Sequence, residues 1–125
     1  MAKYINSIVP DAALAKIATG TTITVCSDQP TNRTEAVTTY KLADATLTPG
    51  DGNGSFTIAA GSGTARKVTI AQQADIPVDA TDDATHVAIC DGTNLLLVTT
   101  CTLQPVTSGN TVTIPAFSHE IGAVS

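Results

Sequence analysis

Thr22-Ile23-Thr24-Val25, Phe56-Thr57-Ile58, Lys67-Val68-Thr69-Ile70 and Thr111-Val112-Thr113-Ile114 share one pattern, in which a polar residue, usually threonine, alternates with an apolar one. Successive side chains of a pleated strand point to opposite faces, so a period of two gives each run an apolar face and a hydroxyl-bearing face. Threonine suits the outer face because its branched Cβ favours strands while its hydroxyl can meet water. Glycine, proline and asparagine bound these runs. Many short, half-buried strands follow, made with few charges and few aromatic residues.

Outward from these runs, strands are expected at 21–27, 36–42, 56–60, 67–72, 86–90, 95–103 and 111–115. A weaker strand at 76–78 is placed at a sheet edge by Pro77, which cannot donate to a ladder. Leu95-Leu96-Leu97-Val98 is apolar on both faces and reads as a central strand. The connections carry turn chemistry: Ser27-Asp28-Gln29-Pro30, Pro49 to Gly54, Asp91-Gly92 and Ser108-Gly109-Asn110. One helix is expected, over residues 11–18, where alanine is abundant, Leu14 and Ile17 share a face and Gly20 stops the chain. The fold class is therefore all-β: an antiparallel β-sandwich or barrel of about seven or eight short strands with one short N-terminal helix. The 125 residues make a single β domain, 1–20 forming an arm and helix and 21–125 the sandwich.

Composition narrows the function classes. Charged residues are 14% of the chain, against about 25% in typical soluble domains, which fits either a surface covered by a partner or by copies of the same chain, or a monomer coated with threonine and serine. The net charge is −5 and the six basic residues are scattered, with Arg66-Lys67 the one adjacent pair. A phosphate backbone needs clustered cations, so no nucleic acid is expected as a partner. The longest aliphatic run, Leu95 to Val98, cannot span a bilayer, and Asn6, Ser7, Pro10 and Asp11 break the start before a signal-peptide core could form. No membrane partner is expected, and synthesis in a cytoplasm is.

The three cysteines, Cys26, Cys90 and Cys101, show no metal or redox spacing and read as reduced, buried thiols. A hairpin turning at 92–94 pairs residues whose numbers sum to about 186, setting Cys90 against Leu96 and Cys101 against Thr85. The two thiols then stand about five pairs apart, too far to bridge.

Candidate sites are few. Asp51-Gly52-Asn53-Gly54-Ser55 begins like a calcium loop, but Phe56 and Ser62 stand where such a loop needs glycine and glutamate, so it reads as a glycine-rich turn. Asp79, Asp82 and Asp83 near His86 lack metal-ligand spacing and read as a solvated acidic loop. His86 and His119 have no nucleophile placed beside them in any recognisable motif. The stretch from Gly61 to Lys67 lacks the spacing of a phosphate loop and leads into a strand, and Asn32-Arg33-Thr34 is a glycosylation sequon with no secretory context. No catalytic residue, metal ligand or cofactor site is expected, and no enzyme. The apolar residues Tyr4, Ile5, Ile8 and Val9, ahead of the strands, are the expected partner-binding residues.

Several blocks carry a resemblance: Ile17-Ala18-Thr19-Gly20-Thr21 leading to Val25-Cys26-Ser27, then Pro30, Glu35 and Ala36; Arg66 to Ile70; Ala84 to Gly92 with Leu95-Leu96; and Val106 to Phe117. With these the chain resembles a family of small proteins encoded among the virion structural genes of tailed bacteriophages. The resemblance implies a non-enzymatic virion protein: a capsid decoration (cement) or minor head protein that stabilises the particle. The partners it implies are the major capsid protein or other virion proteins, with self-association into a homo-oligomer beside them. A tail- or fibre-associated adhesion module, binding a host receptor or glycan, is the alternative. The family supplies no catalytic residues.

Overall fold

The alternating runs form strands, and the sheets they build place the rest of the chain. A computed structural model describes residues 6, 8–61 and 65–122. Its elements are α1 (Ile8–Ile17), β1 (Thr22–Cys26), a π-helical segment (Glu35–Thr39), β2 (Lys41–Thr46), β3 (Phe56–Ala60), β4 (Arg66–Ile70), β5 (Gln73–Pro77), β6 (Asp82–Cys90), β7 (Leu95–Val106), β8 (Thr111–Ile114) and β9 (Phe117–Ile121). All strand pairs are antiparallel, in a four-stranded sheet ordered β2-β1-β6-β7, a three-stranded sheet ordered β3-β4-β9 and the pair β5-β8. The architecture is all-β and sandwich-like, with one short helix.

Register explains the core. Ala45, Ile23, Ile89 and Leu97 lie in one row across the four-stranded sheet, and Ala43, Val25, Val87 and Thr99 in the next. These rows face Phe56, Val68 and Ile70 of the second sheet and Ile76, Val112 and Ile114 of the third. The outer face of the same sheet is covered as well: Cys26, Ala88 and Cys90 pack with Ala36 of the π-helical segment, flanked by Val37, Tyr40, Leu95 and Val98. Thr24 is on this outer face and is fully buried, its hydroxyl 3.4 Å from the Cys26 thiol. A hydroxyl read as facing water thus faces a sulfur.

Four features differ from the sequence reading. Residues 36–42 are not one strand. Asn32 Oδ1 accepts the Glu35 N–H, Glu35 Oε1 accepts both the N–H and the hydroxyl of Thr31, and Tyr40 N donates to Glu35 O at 2.8 Å, a five-residue step. Those local bonds hold 35–39 in a helical turn and defer the strand to Lys41. The helix begins three residues earlier than expected because Asn6 Oδ1 accepts the Ile8 N–H, leaving Pro10 in the first turn. Phe117–Ile121 forms a ninth strand, paired with β4. Finally, β7 is not central but the end strand of its sheet.

The hairpin register holds where it is regular. His86–Thr100, Val87–Thr99, Ala88–Val98 and Ile89–Leu97 all sum to 186, but irregularities at each end set Cys90 opposite Leu95 and leave Thr85 without the expected Cys101 partner. All three cysteines are free thiols.

Candidate functional site

The β6–β7 hairpin is held by Asp91. Its Oδ1 accepts the N–H groups of Thr93 (2.7 Å) and Asn94 (2.6 Å), closing the turn, and its carbonyl accepts Arg33 Nε at 2.8 Å. Lys16, from the last turn of α1, stands 3.8 Å from Oδ2. The backbone donors of Asn94 and Thr93, helped by Lys16 and Arg33, hold the Asp91 carboxyl below its ordinary range. One aspartate thus joins the helix, the loop before the π-helical segment and the long hairpin.

Beyond the turn, β7 runs for twelve residues along the flank of the sheet. Between its C-terminal half and the β8–β9 connection lies a cleft of about 370 Å³, floored by Val25 and Val87 and walled by Cys101, Ile114 and Phe117. Phe56 is in the core, and Phe117 is only partly buried, standing at this cleft. The lining also carries Thr99, Thr100, Thr102, Thr113 and Gln104 and no charged side chain or histidine. The surface supplies hydroxyls, one amide and one thiol but no acid or base to move a proton. Burial raises the Cys101 thiol, so it is a poor nucleophile at neutral pH. Burial likewise raises Cys26, against the lowering bond from Thr24, and Cys90.

The other residues singled out in the sequence are occupied with structure. Asp51 Oδ1 accepts the Ile58 N–H at 2.9 Å, Asn53 Nδ2 donates to Pro49 O, and Ser55 Oγ accepts the Thr48 N–H. Gly50, Gly52 and Gly54 all have left-handed φ angles, which is why three glycines recur there. Asp79 lies 3.3 Å from Lys41 Nζ, which also meets Asp44 at 3.1 Å; the bond to Asp44 and then that to Asp79 raise the lysine's pKa. Asp82 caps its neighbour, accepting the Asp83 N–H. His86 Nδ1 is 2.8 Å from Thr85 Oγ1 on β6, while His119 is on β9 opposite Val68, in a different sheet. Among the described residues no group of three or more His, Cys, Asp or Glu is arranged to hold a metal ion, and no helix is long and apolar enough to cross a membrane.

Of the expected partner-binding residues, Ile8 and Val9 form the start of α1 and are 69% and 54% exposed. Tyr4 and Ile5 lie outside the described residues. The helix is fastened further along: Leu14 and Ala18 enter the core, and Asp11 receives Arg66 in a two-pronged pair, Nε–Oδ1 2.7 Å and Nη2–Oδ2 3.2 Å. Leu103, 59% exposed on β7, completes the set of large exposed apolar side chains among the described residues. Sequence reasoning missed it because it placed β7 inside a sheet.

No family model, curated protein or solved structure matches this chain.

Proposed function

We propose that this chain is a non-enzymatic structural protein of a virion, a capsid decoration (cement) or minor head protein whose partner is the major capsid protein or another virion protein. The observation that carries the docking part of this reading is the start of α1. Ile8 and Val9 are exposed at the start of a helix that Leu14, Ala18 and the Asp11–Arg66 pair fasten to the sheets. A rigidly held apolar pair costs little conformational entropy when it is buried against a neighbour. The cleft beside β7, uncharged and without a base, favours binding over chemistry. The sequence resemblance set out above supports the virion as the setting.

The experiment is quantitative proteomics on purified particles, with a variant lacking residues 2–9. The protein is expected at a copy number set by the capsid lattice. The truncated chain, which keeps Leu14 and Asp11, is expected to fold with an unchanged circular dichroism spectrum and to be lost from particles. Absence from particles refutes the virion setting, and normal incorporation of the truncated chain refutes the helix start as anchor. Immunogold labelling confined to the tail would replace the capsid reading with the adhesion module.

A further inference from the structure

β7 has the sequence of a central strand and the position of an end strand. Its twelve residues, Leu95-Leu96-Leu97-Val98-Thr99-Thr100-Cys101-Thr102-Leu103-Gln104-Pro105-Val106, include no charge. β6 pairs with one side of it, and among the described residues no strand pairs with the other. An end strand presents a row of unpaired N–H and C=O groups, and proteins ordinarily blunt that row with lysine, proline or a very short strand. Here Pro105 stands near one end, and register irregularities, which also blunt an edge, flank the middle of the strand. The regular stretch between them, Leu97 to Thr100, carries no lysine or proline. On the core face Leu97 continues the row of Ile89, and on the outer face Val98 continues the row of Ala88. Both are only half-buried, so apolar surface runs to the edge on both sides of the sheet.

We propose that a second copy of this chain pairs with the free edge of β7, antiparallel, joining two four-stranded sheets into one continuous eight-stranded sheet about a twofold axis. A strand paired antiparallel with its own copy is self-complementary: each residue meets the partner that its counterpart meets in return. The charge pattern agrees. The chain carries −5 overall, which opposes association of copies, but the β7 seam is neutral. The acidic residues of β6, Asp82 and Asp83, and Asp91 of the turn stand at the two ends of the hairpin, one strand further in. The regular stretch, Leu97 to Thr100, offers a seam of roughly 13 Å between register irregularities on either side. The incoming strand also lies along the mouth of the cleft bordered by Thr99 to Thr102, and alternate side chains close it. The proposal is independent of the virion reading and stands or falls separately.

Sedimentation velocity on the full chain, across about 1 to 100 μM, tests it. The expected species has twice the 12.7 kDa chain mass. Thr100→Lys, at an exposed position of the regular stretch, is expected to return the protein to monomer, while Gln72→Lys, the same charge change on an exposed residue outside β7, leaves the dimer intact. Hydrogen exchange on the unmodified protein at low and high concentration supplies a measurement that needs no variant. The β7 amides not bonded to β6 are expected to exchange more slowly in the dimer. A monomer over the whole range overturns the proposal, and so does a dimer that survives Thr100→Lys or leaves the β7 amides equally fast at both concentrations.

Discussion

Replacing Gly20 with alanine adds one methyl group where there is no room for it. The residue follows α1, and its N–H donates to Ile17 O at 3.1 Å. A Cβ there would come 2.5 Å from Ile89 Cγ2 and 3.3 Å from both Phe56 Cζ and Ile17 O. Ordinary carbon–carbon contact lies at about 3.5–4.0 Å, so the Ile89 methyl or the chain after the helix must give way by about 1 Å. Neither moves cheaply. Ile89 and Phe56 are 1% and 0% exposed, and Cγ2 is on the branched Cβ of a stiff side chain. Overpacking of this kind costs about 1–3 kcal/mol, and the alanine's smaller unfolded-state entropy offsets about 0.4–1 kcal/mol of it. The expected net loss is about 1–2 kcal/mol, read as a lower midpoint with unchanged slope in guanidinium unfolding, and as a melting temperature lower by about 3–8 °C. A double-mutant cycle isolates the cause. Ile89→Ala alone is expected to cost about 2–5 kcal/mol, and in that background the methyl at position 20 enters vacated space and becomes neutral or stabilising. The coupling should exceed about 1 kcal/mol. A Gly20→Ala protein as stable as the parent, or a cycle additive to within about 0.5 kcal/mol, refutes the packing argument.

Two further outcomes follow from the side-chain chemistry. With native protein, a thiol reagent at about pH 8 is expected to modify Cys101 alone and slowly, because burial raises all three thiols and Cys26 and Cys90 are closed from solvent; all three should react only after unfolding, and fast labelling of two thiols in the native state contradicts this. Asp91, through Asn94 and Thr93, and Glu35, through Thr31, have folded-state pKa values below their unfolded ones. Their contribution is present above the unfolded carboxylate range near about 4 and is lost as pH falls through the lower folded values, so the melting temperature should drop on acidification. Asp91→Asn should flatten part of that drop in a pH series of thermal melts, and a parallel decline in both proteins would remove Asp91 as a cause.

How much of the fold was legible follows from where each signal resides. Thr22–Val25, Phe56–Ile58, Lys67–Ile70 and Thr111–Ile114 are all strands because a local alternation set an apolar face against the core, although at Thr24 the other face is covered as well. The segment from Glu35 misled because Val37-Thr38-Thr39 has strand-forming residues, while the bonds that curl it come from Thr31 and Asn32, outside the apparent run. Phe117–Ile121 has apolar residues only at its ends, and its strand exists because β4 offers a partner from about fifty residues earlier. Gly20 was read as a conformational stop, yet its φ is not left-handed; packing against Ile89 demands glycine, and no local pattern encodes that. The exposure of Ile8 and Val9 was legible because an apolar pair precedes the strands with no run to join. The cleft beside β7 was not, since its floor and walls come from five strands, the consecutive β6 to β9 and the distant β1.

The place of β1 has a temporal consequence. It lies between β2, its near neighbour, and β6, whose matching residues follow 60 to 68 positions later. On a ribosome adding about 5–20 residues per second, β1 has only one of its two partners from the end of β2 at Thr46 to the end of β6 at Cys90, roughly 2–9 seconds. Until β6 arrives, Thr24 and Cys26 lack the Ala88 and Cys90 that help enclose them, and Ile23 and Val25 lack Ile89 and Val87. The nascent chain therefore waits with its innermost strand open on one side, and the sheet closes only when residue 90 is free of the exit tunnel. That makes β6 the pacing element of folding during synthesis.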